Sequence, residues 1–148
     1  MENGLELVPL YLKSGSGNFY LKPNGVFLIG DHGAAIIESS QYLARISKPI
    51  LAMQSGPLLL IDGKINPQFA VDSANRRIRS GIGVISPDQI AFAISRDPVT
   101  FYEFTAFFQT ALNCTNALYL DGEISKFYRD PTGPSDNFAG MFAVTERE

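Results

Sequence analysis

The stretch "QIAFAISRDPVTFYEFTAFFQTALNCTNALYLDG" (residues 89–122) decides the fold. Its ends, Ile90–Ser95 and Ala117–Leu120, are short apolar runs bounded by turn-forming residues, which read as strands. Between them the period changes. Phe101, Phe104, Phe108, Ala111 and Leu112 recur at helical spacing and form one apolar stripe. Thr100 and Glu103 have the spacing of a capping box, and Asn113 is the expected C-terminal stop. Strand, helix, strand predicts a βαβ unit whose two strands run parallel. Ligands of α/β sheets collect at the carboxyl ends of strands, where Asp121 would stand.

Working outward, "GIGVIS" and "QIAFAIS" predict a hairpin across Pro87-Asp88. "ILAMQ" and "LLLID" are strand candidates separated by Ser55-Gly56-Pro57, and Asp62-Gly63 ends the second. "FYLKPNGVFLIGDHGAAII" reads as two or three short strands, with a tight hairpin turn expected at Asn24-Gly25 and another turn at Asp31-His32-Gly33. "ESSQYLARIS" (residues 38–47) predicts a short amphipathic helix ending before Pro49. "LELVPLYL" (residues 5–12) suits an edge strand because it contains Pro9. "NPQFAVDSANRRIRS" (residues 66–80) is polar and aperiodic, and loops of that length tend to be functional or disordered. The expected class is therefore α+β, a mixed and mainly antiparallel sheet with a βαβ unit near the C-terminus and two helices, in one domain over 1–148.

Composition narrows the chemistry. A net charge of −3 gives no global positive field, so nucleic acid is not an expected partner. Cys114 and His32 are each the only residue of their type, which excludes an intrachain disulfide, a cysteine-based metal site and a multi-histidine site. No run approaches the roughly 18–20 apolar residues of a membrane-spanning helix. No cofactor is implied. A divalent cation would have to use oxygen ligands from Asp31, Asp72, Asp121, Glu123 and Asp136, which lack calcium-loop spacing.

Several residues could carry function. Asp121 is a carboxylate at a strand end, and Glu123 follows as a second acid; two such groups divide acid and base roles only where their environments differ. Read as a turn, Asp121-Gly122 is equally ordinary. In "NRRIRSGIGV", Arg77 and Arg79 would share one face of an incipient strand, opposite Ile78. They are either a solvated edge or a clamp for phosphate or carboxylate. Gly81 and Gly83 would let backbone approach a ligand. The Gln54-Ser55-Gly56 turn could cradle an anion with its N–H groups.

The blocks "GNFYLKPNGVFLIGD", "QSGPLLLIDGKINP", "IRSGIGV", "PVTFYEFTAFF" and "NALYLDGEIS" resemble, in order, the phosphodiester glycosidase family. That family includes the lysosomal N-acetylglucosamine-1-phosphodiester α-N-acetylglucosaminidase, which uncovers mannose 6-phosphate, and bacterial proteins linked to exopolysaccharide. The likeness is strongest to the bacterial branch and covers residues from Asn3 to about Tyr128. It implies an α+β domain that removes a sugar from a sugar-1-phosphodiester, leaving phosphate on the other partner. It also implies site roles for Arg79, for Asp121, Gly122 and Ser125 of the "LDG" block, and for Ser55, Gly56 and Pro57 of the "SGP" turn.

Two departures stand out. Glu123 and Ile124 replace further glycines, and an upstream Asn-Gly-Gly segment is missing, so an N-terminally truncated domain is expected. On this reading Arg79 clamps the phosphodiester, Asp121 is the catalytic carboxylate, and both side chains point into a common hollow. Two rivals use the same residues: a non-catalytic module binding anionic or phosphorylated polysaccharide, and an inactive fragment that self-associates. "MENGLELVPL" is not a signal peptide. A cytoplasmic location is expected if Met1 is the true start, and a periplasmic or extracellular one if the chain is part of an exported protein.

Overall fold

The structure is a computed structural model that describes residues 10–13, 16–17, 21–45, 49–122, 142 and 144. Two antiparallel sheets and a helix stack in three layers. The smaller sheet has the order β2-β1-β3, formed by β1 (Gly25–Gly30), β2 (Gly33–Glu38) and β3 (Leu51–Ser55). The larger has the order β5-β4-β8-β6-β7, formed by β4 (Leu58–Ile61), β5 (Lys64–Ile65), β6 (Ser80–Ser86), β7 (Gln89–Ile94) and β8 (Asn116–Asp121). Helix α1 (Ser39–Arg45) follows β2, and α2 (Phe101–Thr110) connects β7 to β8.

The large sheet is covered on both faces. Phe27 and Ile36 of the small sheet pack on Leu58, Ile82, Val84 and Leu118. On the other face Phe104 and Phe108 of α2 pack on Leu59, Leu60, Ala117 and Tyr119, with Cys114 between. Burial on both sides explains why "LLLI" and "ALYL" are apolar at consecutive positions instead of alternating. β7 and β8 each pair antiparallel with β6, so they run parallel to one another with β6 between them. The α+β expectation and the parallel strand–helix–strand unit hold, in a form where the two strands are not neighbours.

Helix α2 begins as its sequence dictates. Thr100 accepts from the Glu103 N–H at 3.1 Å, and Glu103 accepts from the Thr100 N–H at 2.8 Å. Arg76 adds an ion pair to Glu103 at 2.9 Å. At the far end Asn113 takes φ 53°, and the Cys114 N–H returns to the Phe108 carbonyl. Ala111 is exposed at the cap, so the buried stripe is narrower than its period predicts.

Other local expectations divide. Asp62 and Gly63, both at positive φ, turn β4 into β5, and Asp31-His32 turns β1 into β2. Asn24-Gly25 is not a hairpin turn: Gly25 already pairs in β1, and the Asn24 carbonyl accepts from the Ser39 N–H. The predicted edge strand lies mostly outside the described residues, and Leu10–Leu12 are not strand. The 66–80 passage is anchored by buried Asn66, which donates to the Leu58 carbonyl at 2.8 Å, and by Phe69, stacked on Phe101.

Gly81 and Gly83 serve packing rather than a ligand. A Cβ at Gly83 would stand 2.6 Å from Cys114 Sγ and 2.7 Å from Phe108 Cδ1. Gly83→Val should therefore destabilise the fold by about 1–3 kcal/mol, read as a lower urea midpoint. The capping box carries a pH signature. Hydrogen bonding from the Thr100 backbone, helped by Arg76, holds the Glu103 carboxyl below its ordinary 4.5. A depressed carboxylate stabilises above its unfolded pKa and loses that contribution as pH falls through the folded value. The stability difference between wild type and Glu103→Gln should thus be full near neutrality and shrink below about pH 4.5.

Candidate active site

Three adjacent strand ends meet at one edge of the large sheet: the start of β4, the end of β8 and the start of β6. Ser55-Gly56-Pro57 is the corner where the chain leaves the small sheet and enters the large one. Ser55 pairs with Gly25, and the Pro57 carbonyl accepts from the Tyr119 N–H at 3.1 Å. Ser80 pairs with Asp121, and its hydroxyl donates to the Asp121 carbonyl at 3.2 Å. The structure thus gathers the "SGP", "RS" and "LDG" elements, separated widely in sequence, at one place. The corner is buried at all three residues, so its N–H groups are not an open anion cradle.

Arg79 is 0% exposed. Its Nε donates to the Val99 carbonyl at 2.9 Å and one Nη2 N–H to the Asn75 carbonyl at 2.9 Å. The guanidinium lies 3.7 Å from the Phe101 ring centroid, a desolvated cation–π contact on the order of 2 kcal/mol. Phe69 stacks on the other side of that ring at 4.8 Å. Ser95 holds the backbone in place, accepting from the Arg79 N–H and donating to its carbonyl. Nη1 is buried and meets no acceptor, and among the described residues no carboxylate pairs with the group. Burial lowers its pKa; the Tyr119 phenol beside it opposes the shift, and the Arg77 charge adds to it. A buried cation without a counter-ion costs stability, and such groups concentrate at functional sites.

Arg77 does not share this position. It is exposed, donates at 3.4 Å to the Arg76 carbonyl and bridges Val99 through its backbone, whereas Arg79 is buried. The expected arginine pair is therefore a single buried arginine.

A bulge shapes the end of β8. Gly81 pairs with Tyr119 but Ser80 with Asp121, so Leu120 is the extra residue. Tyr119 points to the α2 face with Arg79, and Leu120 packs toward the small sheet. Asp121, the partner of Ser80, is on the small-sheet side, since Ser80 alternates with Arg79. At Gly122 the direction reverses, and a Cβ there would collide with the Tyr119 hydroxyl. Register therefore assigns Arg79 and Asp121 to opposite faces of the same sheet end. The Asp121 carboxylate accepts from the Gly122 N–H at 2.6 Å.

Glu123 and Ser125 lie outside the described residues, as does Asp136. Asp31 and His32 occupy the β1–β2 turn at the opposite end of the fold, where Ala34 donates to the Pro87 carbonyl. Among the described residues no three His, Cys, Asp or Glu side chains form a group able to hold a metal ion. No helix among them is long and apolar enough to cross a membrane. Burial pushes the Cys114 thiol up, away from a reactive thiolate. Sequence reasoning missed Tyr119, Phe101 and the Asn75 and Val99 carbonyls. The only available signal was the position of Tyr119 immediately before "LDG".

The phosphodiester glycosidase family model matches residues 1–131. The chain belongs to the phosphodiester glycosidase family. It is 38% identical over 129 residues to the uncharacterized protein YigE of Escherichia coli strain K12, an alignment covering 86% of this chain and 50% of YigE. The chain thus spans about half the length of that curated relative. In this family member the strand-end cluster lies within the matched residues, and so do Glu123 and Ser125. Replacing Arg79 by Met should cost about 1–3 kcal/mol, because the Asn75 carbonyl loses its guanidinium donor, the Val99 carbonyl keeps only the Arg77 N–H, and the contact with the Phe101 ring loses its charge. Chemical denaturation checks this, and Arg77→Met should leave the midpoint unchanged.

Proposed function

We propose that the chain hydrolyses the glycosidic bond of a sugar-1-phosphodiester at the end of its large sheet. The observation that carries this reading is the buried Arg79 guanidinium, paired with no carboxylate among the described residues, one residue before the strand that pairs with Asp121. Of the five N–H donors of an arginine, two are spent on carbonyls, and Nη1 meets no acceptor among the described residues. Two parallel donors match two oxygens of a phosphate. A phosphodiester brings one negative charge to a guanidinium that pairs with no carboxylate among the described residues.

The substrate lies across the strand ends, with phosphate toward Arg79 and sugar toward Asp121. The C1–O bond to phosphate breaks, its electron pair leaves with the phosphomonoester, and water supplies the new hydroxyl at C1. The Asp121 carboxylate stabilises or traps the oxocarbenium-like centre. Glu123 serves as the acid, a minor role because phosphate is already a good leaving group. Membership of the family supports a carbohydrate partner.

Incubation of the chain with sugar-1-phosphate methyl diesters should release free sugar and methyl phosphate. Asp121→Asn should lower the rate roughly 10²–10⁴-fold with the denaturation midpoint retained. An Asp121→Asn variant with undiminished hydrolysis would remove the catalytic assignment. Binding without turnover, unaffected by Asp121→Asn, would instead establish a carbohydrate-binding module.

A further inference from the structure

Tyr119 is neither catalytic by chemistry nor simply core. Its ring is 3% exposed and packs edge-on against Phe101 at 4.9 Å between centroids. Its hydroxyl reaches the end of the sheet, where it stands beside the Arg79 guanidinium and directly over Gly122. Gly122 in turn holds the Asp121 carboxylate through its N–H at 2.6 Å. The bulge at Leu120 makes this arrangement, since the extra residue brings position 122 back over position 119. A side chain at 122 would fill the space of the hydroxyl.

We infer that the Tyr119 hydroxyl is a positioning group that links the buried Arg79 cation, through Gly122, to the orientation of the Asp121 carboxylate. The inference rests on the assignment of Asp121 as the reacting carboxylate. The hydroxyl touches no reacting atom. Arg79 is fixed by Asn75, Val99 and Phe101, so it provides a rigid base on the helix side of the sheet. Tyr119 transmits that rigidity across the strand end, and the Gly122 N–H sets the carboxylate on the other face. A reacting group displaced by about 1 Å can cost on the order of 10²-fold in rate.

Tyr119→Phe removes only the hydroxyl, and Gly122→Ala expels it from its place. Both variants should lower kcat about 10-fold or more while KM changes less than about threefold, the pattern of lost positioning rather than lost binding. Because both act on one atom, the double variant should be no slower than the slower single variant. Gly122→Ala should lower the urea midpoint in the wild-type background and much less in the Tyr119→Phe background.

A readout independent of turnover is the 13C resonance of the Asp121 carboxyl carbon, which should move in both single variants. Unchanged kcat and an unchanged Asp121 resonance in Tyr119→Phe would overturn the inference. So would a Gly122→Ala midpoint loss that is equal in both backgrounds. Absence of hydrolysis by the wild type would refute the proposed reaction, and the resonance and midpoint measurements would still decide the role of Tyr119.

Discussion

Burial of β8 on both faces is the constraint from which the rest follows. A central strand covered by a helix on one side and a second sheet on the other must present apolar groups in both directions, and its backbone must be fully paired. β4 and β6 supply that pairing, and their ends are thereby drawn to the end of β8. The strand-end cluster is a consequence. Wherever β8 stops, the corner preceding β4 and the arginine preceding β6 have to be nearby, although 24 and 42 positions separate Ser55 from Arg79 and Arg79 from Asp121.

The same layering explains how a guanidinium comes to be buried. Arg79 stands where α2 starts and the large sheet ends, a seam where the Asn75 carbonyl and the Val99 carbonyl, which also accepts from the Arg77 N–H, face the guanidinium. An arginine satisfies both with its planar fork and lays its face on Phe101. Lysine would provide neither the fork nor the stacking surface. The long 66–80 passage is ordered for this reason: Asn66 fixes its beginning, Phe69 stacks on the ring that carries the guanidinium, and Asn75 closes over it.

What was legible in the sequence was whatever depended on local period and capping. Thr100 and Glu103 announced the helix start, Asn113 its end, and the order of strand, helix and strand gave the relative direction of β7 and β8. Failures came where a distant partner decided the outcome. Asn24-Gly25 has the composition of a turn, but Ser55 and Glu38 claim Gly25 for a strand. Gly81 and Gly83 look like ligand-approach glycines until Phe104 and Phe108 are found against them. Alternation placed Arg77 and Arg79 on one face, but it could not show that Arg79 alone would be buried under Asn75 while Arg77 stays exposed.

The bulge at Leu120 is the feature that sequence could least reveal, and it decides the site. Without it, Asp121 would follow Tyr119 onto the helix face and meet Arg79 as an ion pair, neutralising both groups. One inserted residue sends the carboxylate to the other face, and among the described residues no carboxylate pairs with the cation. At the end of a sheet the two faces are separated by a single layer of backbone, so a ligand draped over the strand ends can reach both. The guanidinium and the carboxylate are thus held apart at this sheet end, each bonding neighbouring backbone instead of the other.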